Sequence, residues 1–438
     1  MTLPLHGIGG AKDLPIPLDL AIAGAVAALV LSFAVLGLAW RTPRYDGHER
    51  GLAVPWLQGL VDSTAFRLGL RLLGLAVFGW ALFAAVFGEN VLINPFFGMF
   101  YVLLWVGVVP LSLAFGPFWR AVSPLRSLNA AFAFVARSDP ERGLYDYPRW
   151  LGHWPAAVGL FAFVWLELVY HSAAELGPVR LWFVVYVAVM MLGGAVFGSR
   201  FFEHADPFEV YSTLMGHLSV FGRREDGALV VRSPLANLAT YRPAPGLVAV
   251  VAVLFGSTAF DSFKESTPWL QFTQARWDHA YLLDNLALLG FCVGVGVLFT
   301  LACLATGVGP ETPRRDLPML FAHSIAPIIA GYIAAHYLTF LIEQGQMTLT
   351  YMSDPLSRGD DWLGTADLTV NYWLSQQPRL LAAIKVLGVV VGHVLGVIAA
   401  HDRAIRLLPE RHQLTGQLSL LAVMVGFTVG GLYLLFAA

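Results

Sequence analysis

The sequence predicts an all-α fold, a polytopic bundle of about ten transmembrane helices. Three features predict it. Hydrophobic residues make up 57% of the 438-residue chain against 13% charged, a balance that belongs to membrane proteins. Apolar runs of roughly 20 residues, long enough to span a bilayer, recur along the whole chain. Arginine is confined almost entirely to alternate connections between those runs. The backbone finds no water to bond in lipid, so the runs are helices. A net charge of −2 argues against nucleic acid as a partner and leaves the lipid bilayer as the principal one.

The runs centre on 19–40, 68–88, 95–115, 152–170, 180–199, 245–259, 283–306, 318–341, 380–401 and 416–437, the sixth being the shortest. The first is too long for the apolar core of a cleavable signal and lacks a basic stretch before it, so it is expected to be a retained helix. The connection after the first run holds Arg41, Arg44, Arg50 and Arg67, and that after the third holds Arg120, Arg126, Arg137, Arg142 and Arg149. The connection after the fifth holds Arg200, Arg223, Arg224, Arg232 and Arg242. After the seventh come Arg314 and Arg315, and after the ninth Arg403, Arg406 and Arg411. Positive residues stay inside, so both termini are expected outside, in agreement with an even helix count. Only three lysines stand beside 24 arginines, a bias read as a GC-rich genome and hence a bacterial cytoplasmic (inner) membrane.

The inner loops Gly116–Leu151 and Arg200–Gly246 are too short for cores of their own, so residues 1–438 are expected to form one membrane domain. Around Phe118–Phe134, where Trp119, Leu125 and Phe132 alternate with arginines, an amphipathic helix lying on the membrane is expected. No internal repeat stands out. The glycines of Gly290–Gly296 and Gly388–Gly396 are helix-packing faces first and substrate paths second. Cys292 and Cys303 share a helix about 16 Å apart, too far for a disulfide.

Ionisable groups at membrane depth are costly and mark sites for a metal, a proton or a substrate. They fall in two layers. An outer layer gathers Glu167 and His171, four apart on one helix face, with Asp261, Asp278, His279, Asp284 and His336. A cytoplasmic layer holds His323, His393, His401 and Asp402. Mixed imidazole and carboxylate ligands suit a divalent transition metal such as zinc with a position open to water. Each group also has a plainer explanation. Neutral imidazole or protonated carboxyl can join two helices by a hydrogen bond, and His401-Asp402 can simply end a helix. His171, Asp278 and His279 lie near the water boundary, and Glu203–Glu209 reads as a solvated loop.

Several segments carry a resemblance across nearly the whole chain. They are His6-Gly7 with Asp13-Leu14-Pro15-Ile16-Pro17, Trp119-Arg120 with Pro124-Leu125-Arg126, Glu167-Leu168-Val169-Tyr170 and Ser257-Thr258-Ala259-Phe260-Asp261. Ala322-His323-Ser324 through Ala335-His336-Tyr337 and Gly392-His393-Val394 through Ala400-His401-Asp402-Arg403 complete the set. In these the chain resembles the bacterial integral membrane proteins called fenitrothion hydrolases. The resemblance implies hydrolysis of a lipophilic organophosphorus triester at its P–O–aryl bond. It would carry over His6, Glu167, Asp261, His323, His336, His393, His401 and Asp402. A bound metal would lower the pKa of its water towards about 7, and Glu167 or Asp261 would accept the proton. A proton-coupled transporter using the same His and acidic residues is the chief alternative. Broken helices in an inverted repeat would be its sign, and no pair of such breaks is visible. A haem or metal-handling membrane protein is a further alternative.

Overall fold

The computed structural model describes residues 11–45, 51–306, 312–409, 413 and 415–436. All ten expected segments are helical. They are α1 (Leu18–Ala39), α2 (Thr64–Phe87), the bent pair α3 (Pro95–Leu104) and α4 (Val108–Phe115), α5 (Trp154–Leu168) and α6 (Leu176–Phe197). After them come α7 (Leu247–Lys264), α8 (Ala280–Leu304), α9 (Ala326–Tyr351), α10 (Pro378–Leu407) and α11 (Leu418–Phe436). Among the described residues eight helices are long and apolar enough to cross a membrane, or nine with the bent pair counted as one span. The shortfall from ten is α5, whose 15 residues are fewer than the roughly 20 a full crossing needs. Termination is by glycine where the chain must turn sharply. Gly116 and Gly198, just past α4 and α6, adopt φ of 84° and 66°, a region that costs other residues a steric clash.

The chain divides into two compact units. One comprises residues 51–237 and 340–371, the other 11–45, 238–339 and 372–436, so the boundary passes through α9.

The first unit is built around aromatic rings. Phe163 of α5 lies 4.9 Å from Phe100 and 5.0 Å from Trp105, and Trp105 lies 5.2 Å from Tyr211. Such pairs add about 0.5–1.5 kcal/mol each beyond the area they bury. α3 widens into a π-helix over Gly98–Leu104 and meets α4 at a bend of 43°. Gly98 is required there, because a Cβ would stand 2.0 Å from the Thr348 hydroxyl. A small antiparallel sheet, in the order β1 (Leu52–Ala53), β3 (Leu229–Val231), β2 (Phe221–Arg223), closes this unit. It was not foreseen, since its strands are two or three residues long and carry no alternating pattern.

The second unit centres on α7, which is buried on all sides from Val250 to Ser262. Gly256 lets α8 approach, its missing Cβ lying 2.7 Å from the Cys292 Cα. The face Gly388–Gly396 of α10 meets the start of α9 in the same way. A Cβ on Gly331 would reach the Gly388 carbonyl at 2.3 Å, and one on Gly392 the Pro327 carbonyl at 2.6 Å. The expected packing role is observed for Gly388–Gly396 but not for Gly290 and Gly294, where a Cβ would meet no atom within 4 Å.

Candidate functional site

The chemistry-bearing cluster of the second unit lies where α7 meets α9. Asp261 and Ser262 close the apolar run of α7, while α9 presents Tyr332, His336 and Tyr337. Residues four apart stack on one helix face, and the Tyr332 and His336 rings are parallel within 8°. Asp261 and His336 are 0% and 2% exposed. Asp261 Oδ2 lies 3.0 Å from His336 Nε2 and accepts the Tyr337 hydroxyl proton at 2.8 Å. A carboxylate only accepts, so Nε2 carries the imidazole proton and Nδ1 is left as an acceptor. Ser262 Oγ stands 3.2 Å from that Nδ1, 3.1 Å from the Tyr332 hydroxyl and 3.3 Å from the Thr258 carbonyl, a local acceptor that competes with Nδ1 for its one proton. The result is an unbroken chain Asp261–His336–Ser262–Tyr332, every link inside the protein. In a low-dielectric interior such bonds fix tautomer and orientation. With its tautomer fixed, an imidazole can take a proton from Ser262 and hold it beside Asp261.

Asp261 and His336 are thus brought together as expected, but not as metal ligands. Both nitrogens of His336 are engaged, by Asp261 and Ser262. His401, expected as a ligand, is also taken up: Nδ1 faces Gln417 Oε1 at 3.2 Å and Nε2 the Trp40 carbonyl at 3.0 Å. Asp402 accepts the Arg44 backbone N–H at 2.7 Å and pairs with Arg406 at 2.9 Å. These two residues tie the end of α1 to α10; they do not end a helix, since α10 continues to Leu407. His393, 0% exposed, bonds its Nδ1 to the Val389 carbonyl at 2.8 Å, one helical turn back. His323 sits in a 3₁₀ turn, Ala322–Ile325, which breaks the helix ahead of α9 and packs against α10. Among the described residues no three His, Cys, Asp or Glu side chains are placed to hold a metal ion.

His171 and His279 are exposed, and Asp284 accepts the Trp269 indole N–H at 2.9 Å. His6 lies outside the described residues. Glu167 belongs to the first unit, where its charge acts on Tyr211. Burial, with that charge added, pushes the Tyr211 phenol well above its ordinary range.

The first unit holds a polar centre that sequence reasoning missed. The segment expected as a solvated loop, Glu203–Glu209, forms two short helices, Ser199–Ala205 and Pro207–Gly216, with Asp206 and Glu209 buried. The expected amphipathic segment is likewise two helices, Phe118–Val122 and Pro124–Val135. Its Leu125 is buried, whereas Phe134 is 84% exposed. The two elbows are copies of one design. Gly116 and Gly198 open them at positive φ, Ser123 and Asp206 cap the second helix, and Pro124 and Pro207 occupy its first turn. Equivalent positions then pair across the copies. Arg120 meets Glu203 at 2.8 Å, and Arg126 grips Glu209 with two bonds of 2.6 Å. Asp206 accepts from Trp119 Nε1, the Tyr186 hydroxyl and the Phe208 N–H, each at 3.0 Å. The recurring cap-Pro pair after a glycine is the signal that would have revealed this local repeat.

Burial, reinforced by the Glu209 charge, pushes the Asp206 carboxyl from its ordinary 3.8 up to about 6, against the pull of its three donors. The folded chain then holds a proton that the unfolded chain releases between those values. Its contribution to stability therefore falls as pH rises from 3.8 to about 6 and is constant above. His153 acts in the opposite sense. Burial, with the neighbouring His204 charge, pushes it from 6.5 down to about 4, so stability is lost as pH falls through that window. Infrared titration should show a protonated-carboxyl band lost with a midpoint near 6 and missing in Asp206→Asn. A midpoint at the ordinary carboxylate value would contradict the buried placement.

No family model, curated protein or solved structure matches the chain.

Proposed function

We propose that this multi-pass membrane protein hydrolyses lipophilic esters of the organophosphorus triester class at the Asp261–His336–Ser262 chain. The hydrogen-bonded sequence carboxylate, imidazole, hydroxyl carries this reading. The resemblance to fenitrothion hydrolases supplies the substrate class. His336 Nδ1 takes the Ser262 hydroxyl proton as Oγ bonds to phosphorus and the P–O–aryl bond breaks. That proton passes to the departing aryl oxide. Water then attacks the phosphorylated serine, giving its proton to His336, and the P–Oγ bond breaks to release the diester acid and restore Ser262. Tyr332, 3.1 Å from Ser262, is the hydroxyl nearest the developing charge. Asp261 holds the tautomer and stabilises the imidazolium. The arginine bias places both termini outside a bacterial inner membrane and the site in its outer half.

Purified protein in liposomes should release nitrophenol from an aryl phosphorothioate triester, and a chelator should leave the rate unchanged, because both nitrogens of His336, the base at this site, are already bonded within the protein. Chelator-sensitive hydrolysis would return the site to metal chemistry.

Proton-coupled transport is the second reading. The bend between Leu104 and Val108 and the 3₁₀ break at Ala322–Ile325 favour it, since interrupted helices are where transporters bind their substrates. Proton-linked solute uptake in the same liposomes, without hydrolysis of any triester, would establish that reading in place of the first.

A further inference from the structure

Beside the hydrogen-bonded chain, within the second unit, α7, α8, α9, α11 and the short helix Thr267–Gln274 border a cavity of about 730 Å³ that opens to the outside of the bundle. That volume falls in the range of small-molecule sites. Its walls are apolar and aromatic, with Phe255, Phe263, Trp269 and Phe291 among them. Tyr332 carries the single hydroxyl of the lining, and that hydroxyl bonds Ser262. The cavity therefore has one polar corner, and that corner belongs to the candidate catalytic chain.

Side chains do not fill this space. Gly290 and Gly294 of α8 and Gly426 and Gly430 of α11 border it, and a Cβ on any of the four would meet no atom within 4 Å. Gly331 and Gly392, by contrast, are locked against a facing backbone. At Gly431, beside Gly430, a Cβ would instead stand 3.0 Å from the Tyr332 ring. An apolar space of this kind between membrane helices suits hydrocarbon, and its one hydroxyl suits a single polar group at the end of a chain.

We propose that the cavity binds the hydrocarbon chain of an ester-bearing lipid, with the ester at Tyr332 and Ser262, and that such a lipid is the natural substrate. The assignment of substrate rests on the hydrolytic reading of that site; the binding of the chain does not. The chain enters from the bilayer, where it is already concentrated, and leaves its ester within reach of Ser262.

A single-chain acyl ester bearing a diazirine near the chain end is photolysed with the liposome-reconstituted protein, and labelled peptides are mapped by mass spectrometry. Label is expected on Phe255–Phe263 well above that on Leu181 and Val184, which are exposed on α6 and report bulk lipid. The Gly294→Leu/Gly430→Leu double variant fills open space and should lose at least tenfold of the cavity label. His336→Gln should keep it, because binding does not need the base. Equal labelling of cavity and α6, or full cavity labelling in the double variant, would overturn the proposal. Nitrophenyl esters of rising chain length separate the two claims. Wild-type hydrolysis should rise with length and the double variant should lose that dependence. Cavity labelling with no hydrolysis of the acyl esters at any length would overturn the substrate assignment, and the hydrolytic reading falls with it only if the aryl phosphorothioate triester is also left intact.

Discussion

Asp261→Asn is expected to lower triester hydrolysis by about 10³–10⁴-fold while leaving the fold intact, the scale seen when a base loses the carboxylate that sets its tautomer. Asn presents one acceptor and one donor where Asp261 Oδ2 now receives both His336 Nε2 and the Tyr337 hydroxyl. An amide N–H facing Nε2 drives the imidazole proton to Nδ1, which then donates to Ser262 and cannot take its proton. His336→Gln should lower the rate by about 10²–10⁴-fold, by removing the base itself. Tyr337→Phe, which removes one of two donors to Asp261, should cost far less. Steady-state nitrophenol release with protein levels matched checks all three. Wild-type rates in Asp261→Asn would make the chain an interhelical tie.

The largest expected effect on stability lies in the other unit. Glu209→Gln leaves Arg126, 13% exposed, without the carboxylate that now takes two of its N–H groups. Breaking a buried ion pair from one side costs about 3–5 kcal/mol. The same principle expects Arg126→Met/Glu209→Leu to regain most of that loss, because no charge is then stranded. Chemical or thermal unfolding in detergent, followed by fluorescence, distinguishes the outcomes. If Glu209→Gln unfolds with the wild type, the pair contributes little and the elbows are held by Trp119, Tyr186 and Asp206 instead. The 3.0 Å bonds to Asp206 make that result readable in Trp119→Phe.

The contrast between the two polar centres explains what the sequence discloses. Asp261 and His336 stand in long apolar runs, where any ionisable group is conspicuous. Their partners Ser262 and Tyr332 do not stand out, because hydroxyls are common in membrane helices and bond locally, as Ser262 does to the Thr258 carbonyl. Knowing that they face His336 requires the rotation of α7 against α9, which is set by close approaches elsewhere in the unit. Asp206 and Glu209 were legible as residues but not as a core. Proline and four ionisable groups within Glu203–Glu209 resemble a solvated turn, and the charge that buries Glu209 comes from Arg126, far away in sequence. The metal expectation drew on residue types alone. Histidines grouped by depth turned out to be grouped by neither helix face nor partner: His401 bonds to Trp40 and Gln417, His393 to its own helix. The run of helices was legible throughout because hydrophobic length is a local property; the sixth run, the shortest in sequence, forms a full 18-residue helix, whereas the fourth is helical only over the 15 residues of α5.

The serine decides the central claim. If His336 activates Ser262, a slowly turned-over aryl phosphorothioate should leave its dialkyl thiophosphoryl group on that residue, and mass spectrometry of the quenched protein should find the adduct on Ser262 in wild type. It should be missing in His336→Gln, and Ser262→Ala should lose hydrolysis by at least about 10³-fold, as loss of a triad nucleophile does. Full hydrolysis in Ser262→Ala, with no adduct on any residue of the α7–α9 cluster, would contradict the account.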